Sequence, residues 1–313
     1  MRVTLERSEL LKALGHVHRV VERRNTIPIL SNVLIRAEGS EIQFKATDLD
    51  LEVTETAPCV VEQTGATTVP AHMLHDIVRK LPDGSEVQLT AAEGEPTLTL
   101  HAGRSHFKLG VLPDTDFPDL TSATFSHTFR LAAPQLKRLI DQTQFAISTE
   151  ETRYYLNGIF LHAVDVDGTL LLRAVATDGH RLARVQIEAP QGSEDMPGII
   201  IPRKAVAEIQ KLVEDPDAQV AIELSDSKIR FTVGSVVLTS KLIDGTFPDY
   251  NRVIPTDNDK LLNLDCASFK SAVDRVSTVS SERGRAVKMA IGDSQLVLTV
   301  NNPESGTETE EIA

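Results

Sequence analysis

Few residues of this 313-residue chain are spaced for chemistry, and none of their groupings completes a site. His72 and His75 with Asp76 have the spacing of metal ligands on a helix, but no third or fourth ligand follows nearby, so no metal is expected. Asp48 with Asp50, and Asp165 with Asp167, are D-x-D pairs of the kind that could share a cation. The second pair runs into Gly168 and reads more simply as a hairpin turn. Asp178 and His180 could do general acid–base work, yet no G-x-S-x-G nucleophile motif accompanies them. Neither G-x-x-x-x-G-K-[ST] nor G-x-G-x-x-G occurs, so no phosphate-cradling loop is expected. An enzyme processing nucleotides would need carboxylates clustered for two metals, which the chain does not specially provide. The residues read as a protein with no catalytic group and no cofactor.

The elements that would position these groups repeat along the chain. Ala46-Thr47-Asp48 recurs as Ala176-Thr177-Asp178, and Phe117-Pro118-Asp119-Leu120 as Phe247-Pro248-Asp249-Tyr250, both at an offset of 130. Val69-Pro70-Ala71 pairs with Ile201-Pro202-Arg203 at 132, and the helical stretch around Leu10 with that around Leu136 at 126. Four matches in order at nearly one spacing mark an internal repeat. A third copy begins after the polar linker Pro255 to Asp259, where Leu296–Asn302 echoes Leu172–Asp178. It stops at Ala313 on a polar tail, so this third domain is expected to be incomplete as it stands. The boundaries drawn are 1–125, 126–255 and 256–313.

Within the first unit, residues 1–5 alternate like a strand, and Leu10, Leu14, Val17 and Val21 have helical spacing over 8–24. Strands fit 32–38, 41–47 and 50–61, a second helix fits 71–80, and strands fit 86–91, 97–101 and 104–111. Helices at 133–148, 203–213 and 267–281 take the equivalent places later on. The expected class is α+β: repeated domains, each with two helices backed by antiparallel sheets.

Composition agrees with a globular chain: 41% apolar, 25% charged, 4% aromatic and no Trp, so the cores must be aliphatic. The first residues lack a signal-peptide core, and the apolar run Gly198–Ile201 is far too short to span a bilayer. Cys59 and Cys266 lie far apart and suggest no disulfide framework, which points to a reducing cytoplasm.

The net charge of −13 conceals a partition. The five expected helices hold 13 Lys/Arg against 6 acids, a net +7, which leaves −20 for everything else. The cations are Lys12, Arg19, Arg23, Arg24, Arg79, Lys80, Lys137, Arg138, Arg203, Lys204, Lys211, Lys270 and Arg275. In the first helix Lys12, His16, Arg19 and Arg23 form one stripe opposite the apolar face. On an isolated helix this would most simply be a solvated face. Its recurrence on equivalent helices points instead to phosphates, with the acidic strands turned away. A weak basic lining in an acidic body holds DNA loosely, so retention would come from topology; an open basic groove fits the charges equally.

At Thr177-Asp178-Gly179-His180-Arg181-Leu182, Arg153-Tyr154-Tyr155-Leu156-Asn157-Gly158 and Lys241 to Tyr250, the chain resembles the bacterial DNA polymerase III beta subunits, the beta sliding clamps. Asn25 to Leu30 and Asn301-Asn302-Pro303-Glu304 fit the same family, so the resemblance runs from end to end. It implies a DNA clamp fold and a non-catalytic processivity factor that encircles duplex DNA and tethers polymerase during replication. It further implies three like domains per chain and a head-to-tail dimeric ring whose hole is lined by twelve helices. The implied partners are double-stranded DNA, the polymerase III alpha subunit, the clamp loader complex, a second copy of the chain, and other polymerases and repair proteins bearing short linear motifs. No membrane is implied.

The resemblance also implies a partner-peptide pocket at Leu156, Thr177, Gly179, His180, Arg181, Leu182, Pro248, Arg252 and Val253. The residue types suit one: Leu156, Leu182, Pro248 and Val253 offer an apolar floor, Gly179 permits close backbone approach, and Arg181 and Arg252 could hold carbonyls or carboxylates. For DNA, Arg24 matches a family contact position, and Tyr154 and Tyr155 could touch a duplex or a single strand. Glu150 departs from the polar, uncharged residue relatives often carry there. A peptide-binding scaffold without topological DNA binding is the competing reading; it leaves the helix charge bias unexplained.

Overall fold

The structure, a computed structural model, describes residues 1–92, 94–120, 124–280, 285–292 and 294–312. The chain falls into two compact units, Met1–Pro248 and Asp249–Ala313.

In the first unit the order is β1 (Arg2–Glu6), α1 (Arg7–Val17), β2 (Asn32–Glu38), β3 (Glu41–Thr47), β4 (Leu51–Pro58), β5 (Val60–Gln63), β6 (Gly65–Pro70), α2 (Ala71–Lys80), β7 (Glu86–Ala91), β8 (Thr97–Ala102) and β9 (Ser105–Gly110). It then begins again with β10 (His127–Ala132), α3 (Ala133–Asp141), β11 (Gly158–Val166), β12 (Thr169–Thr177), β13 (Leu182–Glu188), β14 (Ile199–Pro202), α4 (Arg203–Leu212), β15 (Gln219–Leu224), β16 (Lys228–Val233) and β17 (Val236–Lys241). The sheets show the same duplication. β5-β1-β7-β8-β9 has its counterpart in β10-β15-β16-β17, and β4-β3-β2-β6 in β13-β12-β11-β14.

The two repeats join by strand pairing. β17 runs antiparallel to β4, with Leu238 opposite Val53, so β10-β15-β16-β17-β4-β3-β2-β6 is one eight-stranded sheet. Lys241 strengthens the join through its N–H to the Asp50 carbonyl at 2.8 Å and its ammonium to the Asp50 carboxylate at 3.0 Å. Inward alternation supplies the core: Ile42, Phe44 and Ala46 on β3 meet Leu10, Ala13, Leu14 and Val17 on α1, all of them buried. Each of the larger ones, Ile42, Phe44, Leu10, Leu14 and Val17, contributes roughly 1.5–3 kcal/mol by leaving water.

The recurring Thr-Asp pair explains itself as a turn. Thr47 Oγ1 accepts the Leu49 N–H, while Asp48 Oδ1 accepts from Asp50 and Leu51 at 2.9 and 2.7 Å. Thr177 and Asp178 do the same for Gly179, His180 and Arg181. The residue after the Asp is left-handed in both, Leu49 at φ 79° and Gly179 at φ 89°. Asp165 and Asp167 also form the expected hairpin: Asp167 and Gly168 have positive φ, and Asp165 Oδ1 accepts the Gly168 N–H.

The second unit holds α5 (Cys266–Val276), β18 (Lys288–Ile291), β19 (Leu296–Asn302) and β20 (Gly306–Ile312). Asp265 Oδ1 accepts the Ser268 N–H and caps α5. Ala272 and Val276 pack on Leu296, Leu298 and Val300. Both cysteines are free thiols, and among the described residues no helix is long and apolar enough to cross a membrane.

Some expectations need correction. The first helix stops at Val17, not at 24, so Arg19 and Arg23 do not share a helical stripe with Lys12. His16 turns inward, its Nδ1 2.5 Å from the buried carboxylate of Glu55. The third helix ends at Asp141, because Thr143 Oγ1 donates to the Leu139 carbonyl at 2.6 Å and a short 3-10 turn follows. The fifth runs over Cys266–Val276 and so ends before 281, which lies outside the described residues. The expected strand 50–61 breaks at the Pro58-Cys59 corner into β4 and β5, and β6 was not anticipated at all. The basic bias survives, since the helices as folded carry eleven Lys/Arg against five acids.

Candidate functional site

The cations differ in how free they are. Lys12, Arg19, Arg23, Arg24, Lys80, Arg138 and Arg203 are exposed, with no carboxylate in ion-pair reach among the described residues. Arg79 pairs with Asp76, Lys137 with Asp141 at 2.7 Å, and Lys211 with Glu208 at 2.7 Å. The Arg79 and Lys137 pairs lie at the surface, are worth under about 1 kcal/mol each and could exchange for phosphate, whereas Glu208 is buried. Lys204 is different: half-buried, it touches the Asp48 carboxylate, the Glu22 carboxylate at 3.3 Å and the Val20 carbonyl at 3.4 Å.

The histidines of the metal-like grouping serve structure. His72 Nε2 donates to the Val21 carbonyl at 2.8 Å. His75 stacks on His18 with centroids 3.8 Å apart, and His72 meets His18 edge-on. Among the described residues no group of three or more His, Cys, Asp and Glu is placed to hold a metal. Burial pushes the His18 imidazole down to about 4, with smaller contributions from His75, His72 and Arg19, against the Leu14 carbonyl that raises it. Because the folded value lies below the ordinary 6.5, protonation favours the unfolded chain. Stability should therefore be lost as pH falls from about 6.5 towards 4. His18→Phe keeps an aromatic ring on His75 without a titrating group; its melting temperature should drop less than that of the parent over this window, as read by calorimetry.

Around the Thr177–Leu182 turn a second cluster forms. Asp178 is held at about 2 by the Arg181 and His180 N–H groups and by the Arg181 side chain, whose Nε lies 3.0 Å from Oδ2. Asp178 Oδ1 accepts from the His180 and Arg181 N–H groups and Oδ2 from Arg181 Nε, so the carboxylate serves the turn rather than the His180 ring. His180 and Arg181 project into solvent, with the Arg181 side chain 59% exposed. The Arg181 guanidinium also lies over the Phe145 ring, 5.6 Å from its centroid. Phe145 and Tyr154 are more than half exposed, an unusual state for large aromatics, while Leu156 is buried beneath. Leu182 is half-buried, Tyr155 packs on Gly245, and Pro248 is exposed. Gly179 is close to Arg153, whose Nη1 would stand 2.6 Å from a β-carbon there. Glu150 grips the same Arg153 by two bonds of 2.8 Å, so this departure from the family pattern has a structural use. In the second unit Arg252 pairs with Asp249 at 3.0 Å, and Val253 is 68% exposed.

Phe145 and Arg153 were missed from sequence. Phe145 falls inside the overlong expected helix, and nothing local announces that it faces water.

Three family models match along the chain: DNA polymerase III beta subunit, N-terminal domain over 1–121, central domain over 130–249 and C-terminal domain over 251–313. The chain belongs to the bacterial beta sliding clamp family. The beta sliding clamp of Caulobacter vibrioides (strain NA1000 / CB15N) is 53% identical over 312 residues, covering all of this chain and 84% of the relative. That of Escherichia coli K12 is 40% identical over 313 residues, covering 100% and 83%. Among solved structures, the sliding clamp of Bartonella birtlesii bound to griselimycin is 60% identical with a TM-score of 0.96, covering 100% of this chain and 84% of that one. The fold is the DNA clamp fold and the function that of a sliding clamp in DNA replication, non-catalytic and serving DNA polymerase III. Its partners are accordingly DNA and a polymerase.

Proposed function

We propose that the chain closes head to tail with a second copy into a ring around duplex DNA, with domains at 1–125, 126–255 and 256–313. The join between β17 and β4 carries this reading. β9 is the first repeat's counterpart of β17, and its sheet ends there. β20 follows β19 as β4 follows β3, and it too is an edge. One copy's β9, flanked by Arg104 and bearing His106 and Lys108, suits another copy's β20, bearing Glu308, Glu310 and Glu311. Lys12, Arg19, Arg23, Arg24, Arg79, Lys80, Lys137, Arg138, Arg203, Lys211 and the Tyr154–Tyr155 pair then face DNA.

The exposed cluster at Phe145, His180, Arg181 and Leu182 is the docking place for short motifs of the polymerase III alpha subunit, the clamp loader, and other polymerases and repair proteins. Leu156, Thr177, Gly179 and Pro248 complete it within the first unit; Arg252 and Val253, in the second unit, are peptide-binding residues on the family resemblance alone. The setting is the cytoplasm.

The test is retention on nicked circular against linear DNA after loading, in salt that screens phosphate contacts. Protein that stays on circles and runs off linear ends supports the ring. Equal loss from both overturns it and leaves a peptide-binding scaffold.

A further inference from the structure

The turn that follows α1 is clasped from two directions by equivalent residues of the two repeats. Ala71-His72 opens α2, and Arg203-Lys204 opens α4 at the corresponding place. His72 Nε2 donates to the Val21 carbonyl at 2.8 Å, and Lys204 Nζ donates to the Val20 carbonyl at 3.4 Å. Val20 and Val21 are buried, so their carbonyls would otherwise be short of donors. Lys204 also bonds Glu22, the next residue, and the outer oxygen of Asp48. The second repeat shows what that oxygen does without a cross-repeat partner: Asp178 Oδ2 takes Arg181 of its own turn instead.

We infer that Lys204 is a positioning residue rather than a phosphate contact, pinning the Val20–Glu22 turn across the repeat boundary so that Arg23 and Arg24 are presented to DNA. This rests on the reading of Arg23 and Arg24 as DNA contacts. Two carboxylates and a carbonyl already occupy the ammonium, and releasing it to a phosphate would leave the largely buried Asp48 carboxylate without its charge partner. The exposed Arg203 beside it remains available to DNA.

Opposite signs separate the two roles. Asp48→Asn keeps an oxygen for the turn N–H groups but removes the charge facing Lys204. A phosphate-contacting Lys204 would be freed by this change, and DNA binding at low salt would tighten. A pin would be loosened, and DNA binding at low salt should weaken about five-fold, with Lys204→Met behaving alike and Lys204→Arg close to the parent. Hydrogen exchange of the Val20–Arg24 amides, read without DNA, should speed up in Asp48→Asn and Lys204→Met. Unchanged exchange in Lys204→Met, or tighter DNA binding by Asp48→Asn, overturns the proposal. Arg24→Ala separates the underlying reading: if it binds DNA at low salt like the parent while exchange in Lys204→Met is raised, the pin stands and Arg24 is not a contact.

Discussion

Replacing Gly158 by alanine should destabilise the first unit by about 3 kcal/mol and lower its melting temperature by about 6–12 °C. Gly158 opens β11 just after the 3-10 turn Glu151–Leu156 and its cap Asn157, in ordinary extended pairing with β14. A β-carbon there would overlap the carbonyl of Ile201 and press on the Ile200 side chain. The carbonyl belongs to a strand held in register from Gly158–Pro202 to Leu161–Ile199, and that strand leads into α4, so the backbone has no cheap way to yield. Gly15 is the opposite case. It lies inside α1 with open space where a side chain would go, so Gly15→Ala should stabilise by roughly 0.5–1 kcal/mol. Thermal melts of the two variants should move in opposite directions. A parent-like melt for Gly158→Ala would mean that the β11–β14 pairing is not as described.

The second large effect is expected at the peptide cluster. Arg181→Ala with Leu182→Ala should weaken binding of a synthetic peptide carrying the polymerase tail motif about 100-fold or more, as hot-spot residues do. Arg181 supplies the exposed cation above Phe145, and Leu182 the adjoining apolar surface. The Thr177–Asp178 turn should keep its shape, because its remaining bonds are made by backbone N–H groups that alanine retains. Calorimetric titration decides the matter: affinity equal to the parent's would remove these residues from the docking site.

What could be read without coordinates was what local chemistry decides. The Thr-Asp turns and the Asp165–Gly168 hairpin were legible because short side chains bond their own backbone. The repeat was legible because the same turn must recur wherever β3 becomes β4 and β12 becomes β13. The end of α1 was not legible. Val20 and Val21 continue the apolar spacing, and neither glycine nor proline intervenes; the chain leaves the helix to bury both valines in a turn whose carbonyls are taken by His72 and Lys204. The role of Lys204 was hidden for the same reason, since its carboxylate partners lie 182 and 156 positions away. Phe145 and Arg153 acquire meaning only once the Thr177–Leu182 turn is folded against them.

The pairing of β17 with β4 has a kinetic side. Its two strands are parts of one chain, so after opening they meet again at an effective concentration on the order of millimolar, whatever the dilution. A like pairing between separate copies has no such tether, and its lifetime and population depend on how much protein is present. If the chain closes into the proposed ring of two copies with equal contacts at every join, that ring should part first where the polypeptide is discontinuous, and DNA would enter there.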